Sequence, residues 1–411
     1  MTTPIAQVQT QPPHRGCPVD HGALSETKTM RRNAHAKAVE QDAVGRWHVY
    51  GYAEARAFLR AEGTRQAGFR AERIDKLPQT MRDPILYQEG DAHREQRTKT
   101  ARFFTPKTTD DKYRDFMEAF ADEVLADFLA AGRADLSDLS MQMAVQVAAQ
   151  VVGLTNSRRP GMNRRIEAFF EEPAADAPRF VRLRDWLRGQ VSVGRFFFLD
   201  VQPAIRARRT EPREDVISHT LKEGYSPTEI LTECVTYAAA GMVTTREFIS
   251  VAAWHLLEHS ALRQSYLASE QGERYSILHE ILRLEPVVGT LFRRVTEAVV
   301  LESDGERITI PAGAQVSLHI GAANTDEAVV GDAPLAACPA RGLPRGVPEP
   351  VLSFGDGHHR CPGAYVAIQE SDIFLRKFLA LPGLRVLRQP DLGFNDVVQG
   401  YELRNFMMAV G

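Results

Sequence analysis

The chain has 411 residues, and 50 Lys plus Arg against 53 Asp plus Glu leave a formal net charge of −3, without the basic excess of a nucleic-acid or anionic-membrane binder. Hydrophobic residues at 44% and charged residues at 25% exclude a disordered, collagen-like or membrane-embedded chain and leave a globular protein with a large core. Cys17, Cys234, Cys338 and Cys361 are widely spaced with no Cys-x-x-Cys pair, which fits a reducing compartment. No apolar run reaches the length of a membrane span, and the N-terminus has no apolar stretch of signal-peptide length. The expectation is a cytoplasmic, soluble protein with neither nucleic acid nor membrane as partner.

In chain order, residues 1–30 are rich in Thr, Gln and Pro and read as a poorly ordered leader. From Arg46, a short strand-like run leads into a helix. From about 110 to 260 the pattern is helical almost throughout, including DKYRDFMEAFADEVLADFLAAG and LSMQMAVQVAAQVVGL. Ser226, Pro227 and Glu229 form a capping box that opens a proline-free helix, predicted to run about 32 residues, or about 48 Å. Its centre carries Ala238, Ala239, Ala240 and Gly241, a small-residue stretch that suits either close helix packing or close approach of a ligand. After 286, VVLES, ITIPAGAQVSLHI and LRVLRQP read as short strands joined by Gly and Pro turns. The prediction is a mainly α fold with a small β part, in one domain over 31–411 with no internal repeat.

The sharpest chemical signal is Phe354 to Gly363, FGDGHHRCPG. Its glycines permit a tight loop that delivers Cys361 just before a helix, with Pro362 at the expected first position. Unpaired N–H groups at a helix start, here from Gly363 and Ala364, lower a thiol's pKa and favour the thiolate that binds metal. Three readings compete: a redox or nucleophilic cysteine, a zinc site with His358 and His359, and a thiolate ligand to heme iron. Zinc is disfavoured because no second Cys/His pair lies at finger-like spacing.

Phe-Gly-x-Gly-x-His-x-Cys-x-Gly is complete here, and it resembles the heme-ligand signature of the cytochrome P450 family. The resemblance implies that Cys361 is the proximal ligand of a b-type heme, that Phe354 packs near the sulfur, and that His359 reaches a propionate. It extends to His93 and Arg97, which resemble the family's His-x-x-x-Arg propionate clamp, and to Glu280-Ile-Leu-Arg283, which resembles its buried Glu-x-x-Arg pair. Arg294 matches a further propionate-binding arginine, in preference to Arg293. Ala240-Gly241-Met242-Val243-Thr244-Thr245 resembles the central-helix motif, with Gly241 passing close over the heme and Thr244 hydrogen-bonding dioxygen or its water.

Two departures stand out. Val243 occupies the position of the usual acid beside the threonine, and the family's aromatic and Arg-Phe that complete the Glu-x-x-Arg cluster are missing near Ala336 and Ala337, leaving Arg341 or Arg345 as substitutes. The resemblance implies heme held between the long central helix and the cysteine loop, and oxidation of an apolar or aromatic small molecule with dioxygen and electrons from a ferredoxin and its reductase. A donor is expected near Arg94, Arg102 and Arg360. The pocket walls are expected in the segment before Gly90, at Ala239, Ala240, Val243 and Thr244, at 287–291, and at the turn 400–403. Oxidative C–C or C–N coupling of an aromatic natural product such as a cyclic dipeptide, a peroxide-driven peroxygenase, and a nitric-oxide-reducing or heme-sensing protein are the alternatives.

Overall fold

The structure, a computed structural model, describes residues 27–29, 37–69, 71–74, 81–168 and 178–411. Most of the expected leader and residues 75–80 of the expected pocket segment lie outside these. Residues 27–29 are held in place: the backbone N–H groups of Lys28 and Thr29 donate to the buried Glu285 carboxylate at 2.6 and 3.0 Å.

The helices that frame the site are α1 (Tyr52–Arg60), α2 (Gly90–Ala101), α3 (Arg114–Ala131), α4 (Leu136–Val152), α5 (Arg179–Phe196), α6 (Pro227–Ala238), α7 (Thr244–Glu258), α8 (Gln271–Leu284) and α9 (Ala364–Leu379). A five-stranded sheet contains β1 (Val39–Gln41), β2 (Trp47–Val49), β3 (Thr64–Gln66), β4 (Thr290–Val295) and β5 (Gln315–His319), in the spatial order β1-β2-β5-β4-β3. Only the β2–β5 pair is parallel, with Val49 opposite Leu318. The architecture is mostly helical with small sheets, as the sequence predicts.

The helix α4 is apolar nearly all the way round, which suits a helix buried on every side. One face places Met143, Val147 and Val151 in a core shared with Phe128 of α3, Phe248 of α7, Leu278 of α8 and Phe374 of α9. The other places Met141, Val145 and Ala149 against Phe196, Ile230, Cys234 and Met242. A third core lies between the sheet and α1, around Val49, Phe58, Val316 and Leu318.

The capping box forms as read: the Glu229 N–H donates to Ser226 Oγ at 3.3 Å, and the Ser226 N–H donates to Glu229 Oε2 at 2.7 Å. The helix it opens is not one uninterrupted rod, however. A single π-helical turn, Ala239–Val243, separates α6 from α7, at the small-residue stretch where side-chain packing holds the regular ladder least firmly. Insertions of this kind occur most often at functional sites.

Behind the core, Arg283 grips Glu280 with two hydrogen bonds of 2.8 Å. Arg341 adds a third cationic donor to Glu280 at 3.3 Å, and the Cys338 N–H donates to the same carboxylate at 2.8 Å. Arg341 therefore fills the role left open between it and Arg345, and Cys338 contributes through its backbone. Both arginines also donate to carbonyls of the 330–336 segment, so this cluster fastens an irregular stretch of chain to α8. Breaking a buried ion pair from one side leaves a poorly compensated charge, so Arg341→Ala should lower stability by about 2–4 kcal/mol. The exposed Arg345 changed to Ala should cost no more than about 0.5 kcal/mol. Denaturant unfolding of both variants checks the contrast.

Candidate active site

The cysteine loop is built by short-range constraints. Gly355 and Gly357 have φ of 67° and 66°, conformations that favour glycine, and a Cβ at Gly357 would lie 2.3 Å from the Leu59 carbonyl. Asp356 accepts from the Gly357 N–H at 2.7 Å and holds Arg56 and Arg60 of α1 at 2.9 to 3.1 Å. The Cys361 N–H closes the loop by donating to the Phe354 carbonyl at 2.8 Å. Helix α9 begins at Ala364 with Gly363 as its cap, two residues later than Pro362 suggests.

The Gly363 backbone N–H and the Arg97 and Arg360 charges favour the Cys361 thiolate. Burial nevertheless outweighs them and pushes the thiol's pKa up, so the expectation that the helix start alone lowers it does not hold. Without a metal the protonated thiol is favoured, whereas a coordinating metal ion deprotonates a thiol outright. Cys361 is exposed and, with Phe354, His359 and Gly363, helps to line a cavity of about 820 Å³.

The π-helical turn supplies another stretch of wall. Ala240, Gly241, Thr244 and Thr245 line the cavity, and the Thr244 hydroxyl donates to the Ala240 carbonyl at 2.5 Å. A Cβ at Gly241 would meet only the Ala148 Cβ, at an ordinary 3.7 Å, so packing against α4 does not demand a glycine there. Val243 is not among the lining residues; it is 2% exposed, turned into the protein interior on the far side of the turn.

At the rim, His93 and Arg97 both line the cavity, one helical turn apart on α2. The His93 ring stacks on that of His359 with centroids 4.2 Å apart, and the Arg97 guanidinium donates to the Arg360 carbonyl. His359 Nε2 lies 3.0 Å from the Glu89 carboxylate. Among the described residues, no group of three His, Cys, Asp or Glu side chains gathers to hold a metal ion.

The arginine on β4 that lines the cavity is Arg293, not Arg294. Successive strand side chains point to opposite faces, so Arg293 shares the cavity face with Leu291 while Arg294 points away, its backbone paired with Arg65 and Gln315. Burial draws the Arg293 pKa down to about 10, opposed by the Glu89 charge. Val287, Val288 and Leu291 line the cavity as expected, but Val397 and Val398 do so in place of 400–403. That segment is a strand, Gly400–Arg404, whose Tyr401 and Leu403 are spent in the core. Glu89, Tyr237, Arg293 and Glu370 are lining or rim residues that sequence reasoning missed or passed over. Only Arg293 carried a signal, from strand alternation.

Residues 275–382 match the family model for cytochrome P450. The chain is 26% identical to the biotin biosynthesis cytochrome P450 of Bacillus subtilis, with 85% of each chain covered. It is also 26% identical to the mycinamicin IV hydroxylase/epoxidase of Micromonospora griseorubida, covering 89% of this chain and 88% of the relative. Among solved structures, a mutant of P450 EryK in complex with erythromycin B superposes with a TM-score of 0.71 at 25% identity, covering 91% of this chain and 93% of that one. CalO2 gives a TM-score of 0.76 at 24% identity, with the same coverage.

Through residues 275–382, and through relatives and solved structures that cover 85–91% of it, the chain is similar to the cytochrome P450 family. The family consists of heme-dependent monooxygenases, and the cavity fits such a cofactor. A thiol opens onto it between largely apolar walls, and its rim carries Arg97, Arg293 and a buried His93 Nε2 that has no hydrogen-bond partner among the described residues. A flat apolar ligand bearing carboxylates would supply what these donors lack.

The state of His93 is testable in the heme-free protein. Burial and the neighbouring cationic groups lower its pKa from 6.5 to about 4, so the folded state binds fewer protons than the unfolded chain between these values. Its contribution to stability is therefore most favourable above pH 6.5 and declines as pH falls toward 4. Urea midpoints measured across this window should fall less steeply in His93→Phe than in the parent.

Proposed function

We propose that this chain is a cytochrome P450 that holds a b-type heme through Cys361 and oxidises an apolar or aromatic small molecule in the cytoplasm, within a single catalytic domain over 31–411. The observation that carries this reading is the placement of the Cys361 sulfur and the Thr244–Thr245 pair on the walls of one cavity. Heme bound there supplies dioxygen binding and reductive O–O cleavage, favoured by a thiolate ligand. Cys361 anchors the iron, with the Gly363 N–H and Phe354 beside the sulfur. His93, Arg97, Arg293 and His359 hold the carboxylate edge. Gly241 keeps the turn bare of a side chain, and Ala240 shapes the wall beside it.

Thr244 and Thr245 would orient water and dioxygen in the cavity, while Val243 supports the turn from within. The apolar lining from Val287, Val288, Leu291, Val397 and Val398 excludes water and selects an apolar substrate. The mycinamicin IV hydroxylase/epoxidase relative and the erythromycin B-bound structure support a role in secondary metabolism. Electrons come from a ferredoxin and its reductase. Arg94, Arg102 and Arg360 are exposed, which suits docking of an acidic donor on the Cys361 side.

The test is turnover of the heme-loaded protein with a ferredoxin, its reductase and NADPH under isotopically labelled dioxygen, using a panel of macrolides and aromatic cyclic dipeptides that shift the heme spin state. Label incorporated into product, with Arg360→Glu slowing electron delivery, is the expected outcome. Dehydrogenated or coupled product without label would replace oxygen insertion with oxidative coupling, and turnover that runs only on added peroxide would remove the ferredoxin.

A further inference from the structure

Several buried glutamates of this chain have a basic side chain against them. Glu280 is met by Arg283, Arg341 and the Cys338 N–H. Glu247 is held by Arg246, Arg404 and the Leu403 N–H, and Glu285 by His255 and the N–H groups of Lys28 and Thr29. Each is a structural carboxylate whose charge is compensated.

Glu233, on α6, is bound differently. It is 2% exposed, and its Oε1 accepts from the Ile85 N–H at 3.1 Å and from Gln96 Nε2 of α2 at 2.9 Å. Its Oε2 is buried with no hydrogen-bond partner among the described residues. One carboxyl group thus joins α6, α2 and the segment that precedes α2. That segment is a wall of the cavity, which Pro84, Ile85, Leu86 and Tyr87 all line. Its ends are tied elsewhere: the Arg82 N–H donates to Glu229 at 2.9 Å, and the Tyr87 hydroxyl donates to the Phe69 carbonyl at 2.5 Å. Its middle is held by Glu233.

The charge state of Glu233 decides how well that hold works. Burial raises its pKa to about 7, opposed by the Gln96 and Ile85 donors, and no cation contributes. Basic groups on the surrounding elements are engaged elsewhere. Arg82 lies over the Tyr225 ring and donates to the Glu223 carbonyl, and Lys99 pairs with Glu95 and Glu223. Arg97 donates to the Arg360 carbonyl, and Arg165 pairs with Asp200. Burial keeps His219, Tyr225, Cys234 and Tyr237 uncharged at neutral pH. An ionised carboxylate in such surroundings carries a large desolvation cost, which water relieves once the wall moves off it. We propose that Glu233 is the positioning residue that latches the 84–87 wall over the cavity, and that hydration of its carboxylate frees the wall to admit an apolar ligand.

This rests on the reading that the cavity takes an apolar ligand, and not on Cys361 as an iron ligand. With the wall closed, the carboxyl group keeps its proton up to about pH 7; with the wall open and the group in water, it loses it near its ordinary 4.5. The closed form therefore binds more protons in this window, so closure is strongest below pH 4.5, weakens as pH rises toward 7 and is level above it. Full hydration of the open form corresponds to a shift of about 300-fold across the window.

Hydrogen exchange of the purified full-length protein, read on the peptide spanning residues 82–88 and corrected for intrinsic rates, tests the latch. From about pH 5 to about pH 8, protection should fall roughly tenfold or more in the parent and stay level in Glu233→Gln, which cannot ionise. A control peptide from α9 should keep its protection in both. Carbon monoxide, an apolar ligand with no titratable group, is the entry probe. Its bimolecular rebinding to the reduced, heme-loaded protein after flash photolysis should quicken severalfold over the same range in the parent and not in the variant. If Glu233→Gln fails to fold, Gln96→Leu, which takes a donor from the carboxylate, should move the midpoint of both transitions to higher pH.

Protection that is level with pH in the parent, or that falls equally in Glu233→Gln, would overturn the latch. Falling protection with unchanged carbon monoxide rebinding would overturn its role in ligand entry. A parent that shows the exchange transition but binds no heme would overturn the heme reading alone and leave the latch standing.

Discussion

The hydrogen bond from the Cys361 N–H to the Phe354 carbonyl, 2.8 Å long, is the constraint on which the site depends. It closes the glycine-rich loop back on itself and fixes where the sulfur emerges relative to the cavity. Around it, Asp356 ties the loop to Arg56 and Arg60 of α1, and the close approach of Gly357 to Leu59 leaves no room to shift. A side chain at Gly357 would displace the loop, and the sulfur with it. The sulfur's position is therefore held by the fold rather than by the cysteine's own packing.

Electrostatics divides the molecule in a consistent way. The Glu280 cluster and the ion pairs of Asp200 with Arg165 and Asp215 with Arg208 are buried and satisfied; their role is to hold loops against helices. The cavity holds the opposite kind of group: a thiol raised by burial, a neutral His93 with a nitrogen unpartnered among the described residues, and an Arg293 whose charge Glu89 opposes. Groups left wanting partners in this way concentrate where a ligand supplies them.

Much of this was legible in the sequence. The ten-residue loop motif is specific because Gly355 and Gly357 each answer a backbone need, and the capping box located the start of α6 to the residue. Apolar patterning gave α3, α4 and α9. Other features were not legible, for physical reasons. The π-helical turn depends on tertiary contacts across several helices, and no local pattern encodes a one-residue excess. The choice between Arg293 and Arg294 turned on strand phase, which the apolar neighbours Leu291 and Val295 indicate only once the cavity face is known. Arg341 could not be separated from Arg345 because the chain between 331 and 350 is largely irregular. The direction of the Cys361 shift was misjudged because local helix-end effects are visible in sequence, whereas the burial that outweighs them is not.

The function proposed for this chain rests on Cys361 as the thiolate ligand of a heme. The most direct measurement is the carbon monoxide difference spectrum of the dithionite-reduced, heme-loaded protein, beside that of Cys361→Ala. The red-shifted band characteristic of thiolate ligation is expected in the parent and not in the variant. A folded, heme-replete parent without that band, or a variant that keeps it, would contradict the assignment of Cys361.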